Sequence, residues 1–222
     1  MSLQINNLVG FGGGGILGPV TAIDEGGWLE STQSTVHTFT NKTSDGPVTG
    51  FLISWDSGSN IQTLDSVTFD GKSCDILVQA GQSGGERSSV GIALIRNGAT
   101  TGDIVLTFSG TVEASIITMV ALTNLRSLIP IDIDDAGASS GTGDPLTALD
   151  GPGNDGIVLL VYINDSRDNA TSWTPDPAVE EIADAISVTY RHSAAWHYGN
   201  PLSDIKAVAG SNDHHLVGAS LR

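Results

Sequence analysis

Basic side chains are scarce in this sequence: nine Lys and Arg stand against 25 Asp and Glu, for a formal net charge of -16. The nine are scattered singly between Lys42 and Arg222. Gripping a phosphate backbone takes several cations on one surface, so nucleic acid is excluded as a partner, and anionic lipid falls with it. Cysteine is nearly missing too. Cys74 stands alone, which rules out an intramolecular disulfide, and its place in Lys72-Ser-Cys-Asp-Ile-Leu-Val78 reads as a small semi-buried hydrophobe within a strand. No run approaches the 18 apolar residues of a membrane span, and no basic segment precedes an apolar stretch at the N-terminus. The expectation is a product made soluble in the cytosol, with neither signal peptide nor transmembrane segment. Metal motifs are missing as well: there is no H-E-x-x-H and no C-x-x-C.

What is present is short, alternating and punctuated. Thr49, Phe51, Ile53 and Trp55 fall on one strand face, as do Val90, Ile92 and Leu94, then Ile104, Leu106 and Phe108, then Ile116, Thr118, Val120 and Leu122. Successive strand side chains point to opposite faces, so each run is suited to bury one face against a second sheet. Candidate strands are 34–40, 48–55, 61–69, 72–80, 88–96, 103–109, 112–123, 156–163, 185–192, 194–199, 203–209 and 213–221. Residues 157–163 are apolar on both faces, as a central strand covered on each side requires. Asp70-Gly71 between two alternating runs predicts a tight hairpin. Helix has weak support only around 178–185, and no internal repeat is legible. A chain of 222 residues can bury roughly 70% of its unfolded surface without staples. The expected fold is therefore all-β, an antiparallel β-sandwich over residues 31–222.

Residues 1–30 read as an arm. Gly10-Phe-Gly-Gly-Gly-Gly15 cannot hold an autonomous strand, because the backbone entropy lost on ordering is too large. It lacks the Lys-Ser/Thr of a phosphate loop. Leu3, Ile5, Leu8, Phe11, Ile16 and Leu17 are the candidate partner-docking residues, buried when the arm lies against a neighbour.

Other candidates are weighed against plainer roles. Gly81-Gln-Ser-Gly-Gly85 spells the nucleophile elbow G-x-S-x-G, but that motif needs a following helix, and strand-like sequence flanks it on both sides. A hairpin loop is the expected role of Ser83, and no catalytic residue is assigned. Asp132-Ile-Asp-Asp135 and Asn164-Asp-Ser-Arg-Asp-Asn169 are rich in the oxygens Ca²⁺ takes, but neither follows the EF-hand pattern. Solvated acids and turn caps are the default there, with Ca²⁺ the alternative and otherwise no cofactor. His214 and His215 point to opposite strand faces, His192 and His197 lie elsewhere in the second half, and His37 is far away, so no metal site is assigned. Trp196 and Tyr198 share a strand face and form a candidate glycan-stacking pair, set against ordinary core packing.

The succession Val67-Thr-Phe-Asp-Gly-Lys72, Gly91-Ile-Ala-Leu-Ile-Arg96, Thr101-Gly-Asp-Ile-Val-Leu-Thr-Phe108, Ile116-Ile-Thr-Met-Val-Ala-Leu122, Gly156-Ile-Val-Leu-Leu-Val161 and Val188-Thr-Tyr190 resembles a known group. It is similar to the jelly-roll-like β-sandwich structural and decoration proteins of tailed bacteriophage particles, over roughly residues 35–222. That resemblance implies a virion location and a role in head decoration or a tail appendage, with no catalytic residues. It implies partners among the major capsid or tail proteins. A homo-oligomer fits particles built by repetition, a trimer being one symmetric option. The alternative expectation is a carbohydrate- or host-receptor-binding module.

Overall fold

The computed structural model describes residues 18–58, 60–81, 88–138, 146, 149–164, 170–174, 179–187, 189–200, 204–208 and 214–222. Every regular element among them is a strand, and every strand pairing is antiparallel.

The first half contains β1 (Thr21–Glu30), β2 (Ser34–Ser44), β3 (Val48–Asp56), β4 (Leu64–Phe69), β5 (Lys72–Ser73), β6 (Asp75–Gly81), β7 (Ser88–Arg96), β8 (Thr100–Val112) and β9 (Ala114–Thr123). They form one sheet of order β1-β9-β3-β7-β6 and a second of order β2-β8-β4-β5. The partners are nested. β1 pairs with β9, β2 with β8, β3 with β7 and β4 with β5, as in one long hairpin whose successive pairs fall alternately into the two sheets.

The second half contains β10 (Asp132–Ala138), β11 (Ile157–Asn164), β12 (Ser172–Thr174), β13 (Glu180–Ile186), β14 (Arg191–Tyr198), β15 (Lys206–Val208) and β16 (His214–Leu221). Its main sheet has the order β10-β16-β11-β14-β13, and β12 pairs with β15 in a small cover. This order is that of the first half again: β10, β16, β11, β14 and β13 stand where β1, β9, β3, β7 and β6 stand. The bridge from Leu146 to Ile205, just before β15, takes the place of the β2–β8 pairing. A sequence echo accompanies it. Gly98 and Gly199 both have positive φ after β7 and β14, and five residues on come Asp103-Ile104 and Asp204-Ile205. The repeat that is illegible in the sequence is thus present in the topology, because strand order and burial are kept while nearly every side chain differs.

Sheets stack in four layers rather than two. Phe51, Ile53, Trp55, Ala93, Ile117 and Met119 of the first five-stranded sheet face Phe39, Val67, Phe69, Ile104, Leu106 and Phe108 of the four-stranded one. The opposite face of that five-stranded sheet, including Val48, Leu52, Val90, Ile92, Val120 and Leu122, packs on Leu159, Val161, Trp196, Val217 and Ala219 of the second half. Beyond them, Val158, Leu160 and Tyr162 are covered by Trp173 and Ala207. β3, β7 and β9 are therefore buried on both faces, which explains their continuous apolar sequences. Gly50 has no room for a side chain on this face: a Cβ there would lie 2.8 Å from Val120 Cγ2 and 3.2 Å from Leu94 Cδ2, its neighbours on β9 and β7, and 3.5 Å from Leu159 Cδ1 of the second half. Across the central interface β1 touches β13, β3 touches β11, β7 touches β16 and β6 touches β10. β7 also touches β11 and β6 touches β16, so the second sheet lies shifted across the first towards β7 and β6.

Three local expectations change. Residues 21–30, expected in the arm, are the edge strand β1, held along its length by β9. The weakly helical stretch is β13. The single strand expected over 185–192 is broken at Ser187, whose Oγ accepts the backbone N–H groups of Thr189 (3.1 Å) and Tyr190 (3.0 Å), so that β13 turns back into β14. The Asp70-Gly71 hairpin forms as expected, with φ of 52° and 71° and a Phe69–Lys72 pair.

Candidate functional site

The six docking candidates Leu3, Ile5, Leu8, Phe11, Ile16 and Leu17 lie outside the described residues, as does Ser83 of the G-x-S-x-G match. What the structure places is the root from which the N-terminal segment leaves. Asn124, itself at φ 60°, donates from Nδ2 to the Pro19 carbonyl at 3.0 Å. The Val20 N–H donates to the Asp155 carbonyl at 2.8 Å, and the Val20 side chain is buried in the interface between the halves. The Ala22 N–H donates to the Tyr198 hydroxyl at 3.0 Å. Residues from both halves thus clamp the root. Pro19, Val20 and Ala22 are thereby fixed in place.

Tyr198 and Trp196 do share a face, with ring centroids 6.2 Å apart and planes tilted by 52°. Only Tyr198 is open, at 43% exposure; Trp196 is 5% exposed and packs in the central core, with its indole N–H donating to Glu180 Oε2 at 2.8 Å. A sugar-stacking platform needs an accessible ring face, and Trp196 does not offer one. β13, paired with β14, sets Glu180 opposite Trp196, and the central core takes the indole. Tyr198 instead holds the start of β1, its hydroxyl accepting the Ala22 N–H.

A second constellation joins the halves. His192 on β14 is completely buried and reaches across to the first half, with Nδ1 2.8 Å from Ser54 Oγ and Nε2 2.9 Å from Thr118 Oγ1. A neutral imidazole has one donor and one acceptor nitrogen, and hydroxyls rotate to match either, so both ring nitrogens are satisfied without a charge. Beside it the Tyr190 hydroxyl donates to the Ser54 carbonyl at 3.1 Å. Burial drives the His192 pKa down to about 3 and raises that of Tyr190, so both stay neutral at physiological pH. No solvent reaches His192, so it has no route to a substrate. Its chemistry is that of a polar joint in an apolar interface.

The remaining candidates disperse. Asp132 accepts from the Ile133 and Asp150 N–H groups, and Asp134 from that of Asp135, so these acids hold local backbone. Asn164 is buried beside the Tyr162 hydroxyl, while 165–169 are outside the described residues. His214 sits 6.0 Å from the Tyr162 ring, and His37 bonds Ser115 Oγ at 2.6 Å in the other half. Among the described residues no group of three or more His, Cys, Asp or Glu is placed to hold a metal ion, and no helix is long and apolar enough to cross a membrane. Sequence reasoning missed Asn124, Asp155 and the His192–Ser54–Thr118 joint. His192 was visible as one more inward residue on an alternating run, but nothing local pointed to Ser54, 138 positions away.

The geometry defines a class: an all-β protein of stacked antiparallel sheets, with a clamped N-terminal root and a buried polar joint. Compared with protein-family models, with curated proteins and with solved structures, the chain finds no match in any of the three.

Proposed function

We propose that this chain is a structural component of tailed-bacteriophage particles, a head decoration or cement protein or part of a tail appendage, that docks on other virion proteins through its N-terminal arm and loops. We read each half as a jelly roll, the second reduced to a small cover. The nested pairing of β1 to β9, β2 to β8, β3 to β7 and β4 to β5 supports this, since a jelly roll is a long hairpin wrapped into two sheets. The reading assigns no catalysis. Its mechanism is burial of the apolar residues of the arm at a subunit boundary, worth roughly 25 cal/mol per Å² less the cost of ordering the segment.

The observation that carries the reading is the arm root. Because Pro19, Val20 and Ala22 are already held by residues from both halves, docking has to order only the segment before them. The test is co-sedimentation of the full chain, and of a chain lacking residues 1–17, with particles stripped of this protein. Binding by the full chain and loss in the truncated one is expected. Equal retention of both overturns arm docking; failure of both overturns the virion assignment.

A further inference from the structure

The connection from β9 to β10 starts at the root and ends in an open apolar stripe. Asn124, which holds Pro19, begins it. Leu125 is buried and Leu128 half-buried against the central core, while the Arg126 and Ser127 N–H groups donate to the Arg222 carbonyl at 3.0 and 3.3 Å. The Ile131 N–H then donates to the Ser220 carbonyl at 2.8 Å, just before β10 begins. Held in this way, the connection leaves Ile129, Ile131 and Ile133 open, at 80%, 49% and 43% exposure. Their two-residue spacing sets Ile131 and Ile133 on one face of extended chain, and Pro130 favours an extended Ile129 before it. No other five-residue run among the described residues leaves three large apolar side chains open. Together they expose on the order of 300 Å², as much as the largest patch of many monomers.

We propose that this stripe is the resting seat of the chain's own N-terminal segment, residues 1–17, before that segment docks on a partner. Three observations select the occupant. The first is reach. Ile129 stands five residues after Asn124 and Ile133 nine, hence at most about 18 and about 32 Å away. Pro19 is held at Asn124, and Phe11 precedes it by eight residues, a span of up to about 28 Å, with Leu8, Ile5 and Leu3 further out. The second is charge. Asp135 continues the face past Ile133 and is exposed, and the chain as a whole is at -16, so the acidic surface of a second copy is repelled. Residues 1–17 contain no Asp, Glu, Lys or Arg. The third is the state of the edge. β10 has a strand neighbour on one side only, and Asp132 and Asp134 Oδ1 accept the Ile133 and Asp135 N–H groups at 2.9 Å each. Those N–H groups are therefore not offered to an added strand. What the edge presents is isoleucine side chains, which an uncharged apolar segment covers. A short tether keeps that segment near millimolar effective concentration, which favours the seat on its own chain over one on a neighbour. Docking then exchanges the stripe for the partner's apolar surface. This inference rests on the arm reading and not on the virion assignment.

The test is methyl NMR of the isoleucine-labelled full chain and of a chain lacking residues 1–17, at micromolar and near-millimolar concentration. Expected are Ile129, Ile131 and Ile133 signals that move on the deletion, equally at both concentrations, while the exposed Ile61 of the first half stays in place. In the full chain, thermolysin should cut within residues 1–17 about tenfold faster in Ile129→Ser/Ile131→Ser than in the wild type, because cleavage follows the released population. The replaced side chains are open to solvent, and a thermal melt shows that the variant keeps its fold. Isoleucine signals that ignore the deletion, a response that fades on dilution because a second copy supplies the segment, or equal cutting of wild type and variant overturns the proposal. No particle enters these measurements, so their failure and the failure of particle docking are read separately.

Discussion

Replacing His192 by Gln should make the protein less acid-sensitive while making it less stable at neutral pH. In the folded chain His192 is neutral, fully buried and bonded to Ser54 and Thr118, with a pKa near 3; in the unfolded chain it titrates near 6.5. The sign follows. Between these values the unfolded state binds a proton that the folded state refuses, so stability is complete above about pH 6.5 and falls as pH drops towards 3. Each pH unit removes about 1.4 kcal/mol, and the whole window about 5 kcal/mol at most, a large share of the 5–15 kcal/mol typical of a domain. Gln keeps part of the hydrogen bonding and loses the titration, at a cost of about 1–3 kcal/mol at pH 7. Urea unfolding of both proteins from pH 7.5 to 4 checks this. Burial also lowers the His37 pKa, and the same His37 is present in both chains, so its contribution cancels in the difference. The gap between wild type and variant should narrow on acidification with a one-proton slope. Parallel pH profiles would refute the buried-joint argument.

Other expectations concern packing, the root and the thiol. Gly50→Ala should cost about 1–3 kcal/mol in a thermal melt, because its Cβ would meet Val120 and Leu94 in a filled interface. Tyr198→Phe removes the acceptor of the Ala22 N–H and should cost about 0.5–1.5 kcal/mol, with faster amide exchange in the first residues of β1. Burial raises the Cys74 thiol pKa to about 12, so alkylation at pH 8 should be slow in the folded protein and fast in urea. Trp196→Ala should destabilise by about 3–5 kcal/mol as a core truncation.

How far the sequence carried can be judged residue by residue. The face shared by Phe51, Ile53 and Trp55 was legible because strand periodicity is local, and so was the Asp70-Gly71 turn, where positive φ demands those residue types. The second buried face of β3, with Val48 and Leu52, was not assigned, although the same doubly covered character was read correctly for β11. Periodicity tells which side chains share a face; what lies over that face is decided by distant segments. The stacking of the two halves depends on strands from about 50 to more than a hundred positions apart, and a local trace of the repeat is a glycine with an Asp-Ile pair five residues on. The burial of Trp196 is illegible for the same reason: the segments that cover it, and its partner Glu180, lie elsewhere in the chain.

We propose above all that the chain is a building block of a phage particle, anchored by its leading segment. Quantitative mass spectrometry of purified, salt-washed particles addresses it most directly. The account predicts this chain at a fixed copy number relative to the major capsid or tail protein, falling to background when residues 1–17 are deleted from the gene. Washed particles free of the chain, with all of it left in the soluble lysate, would contradict the account.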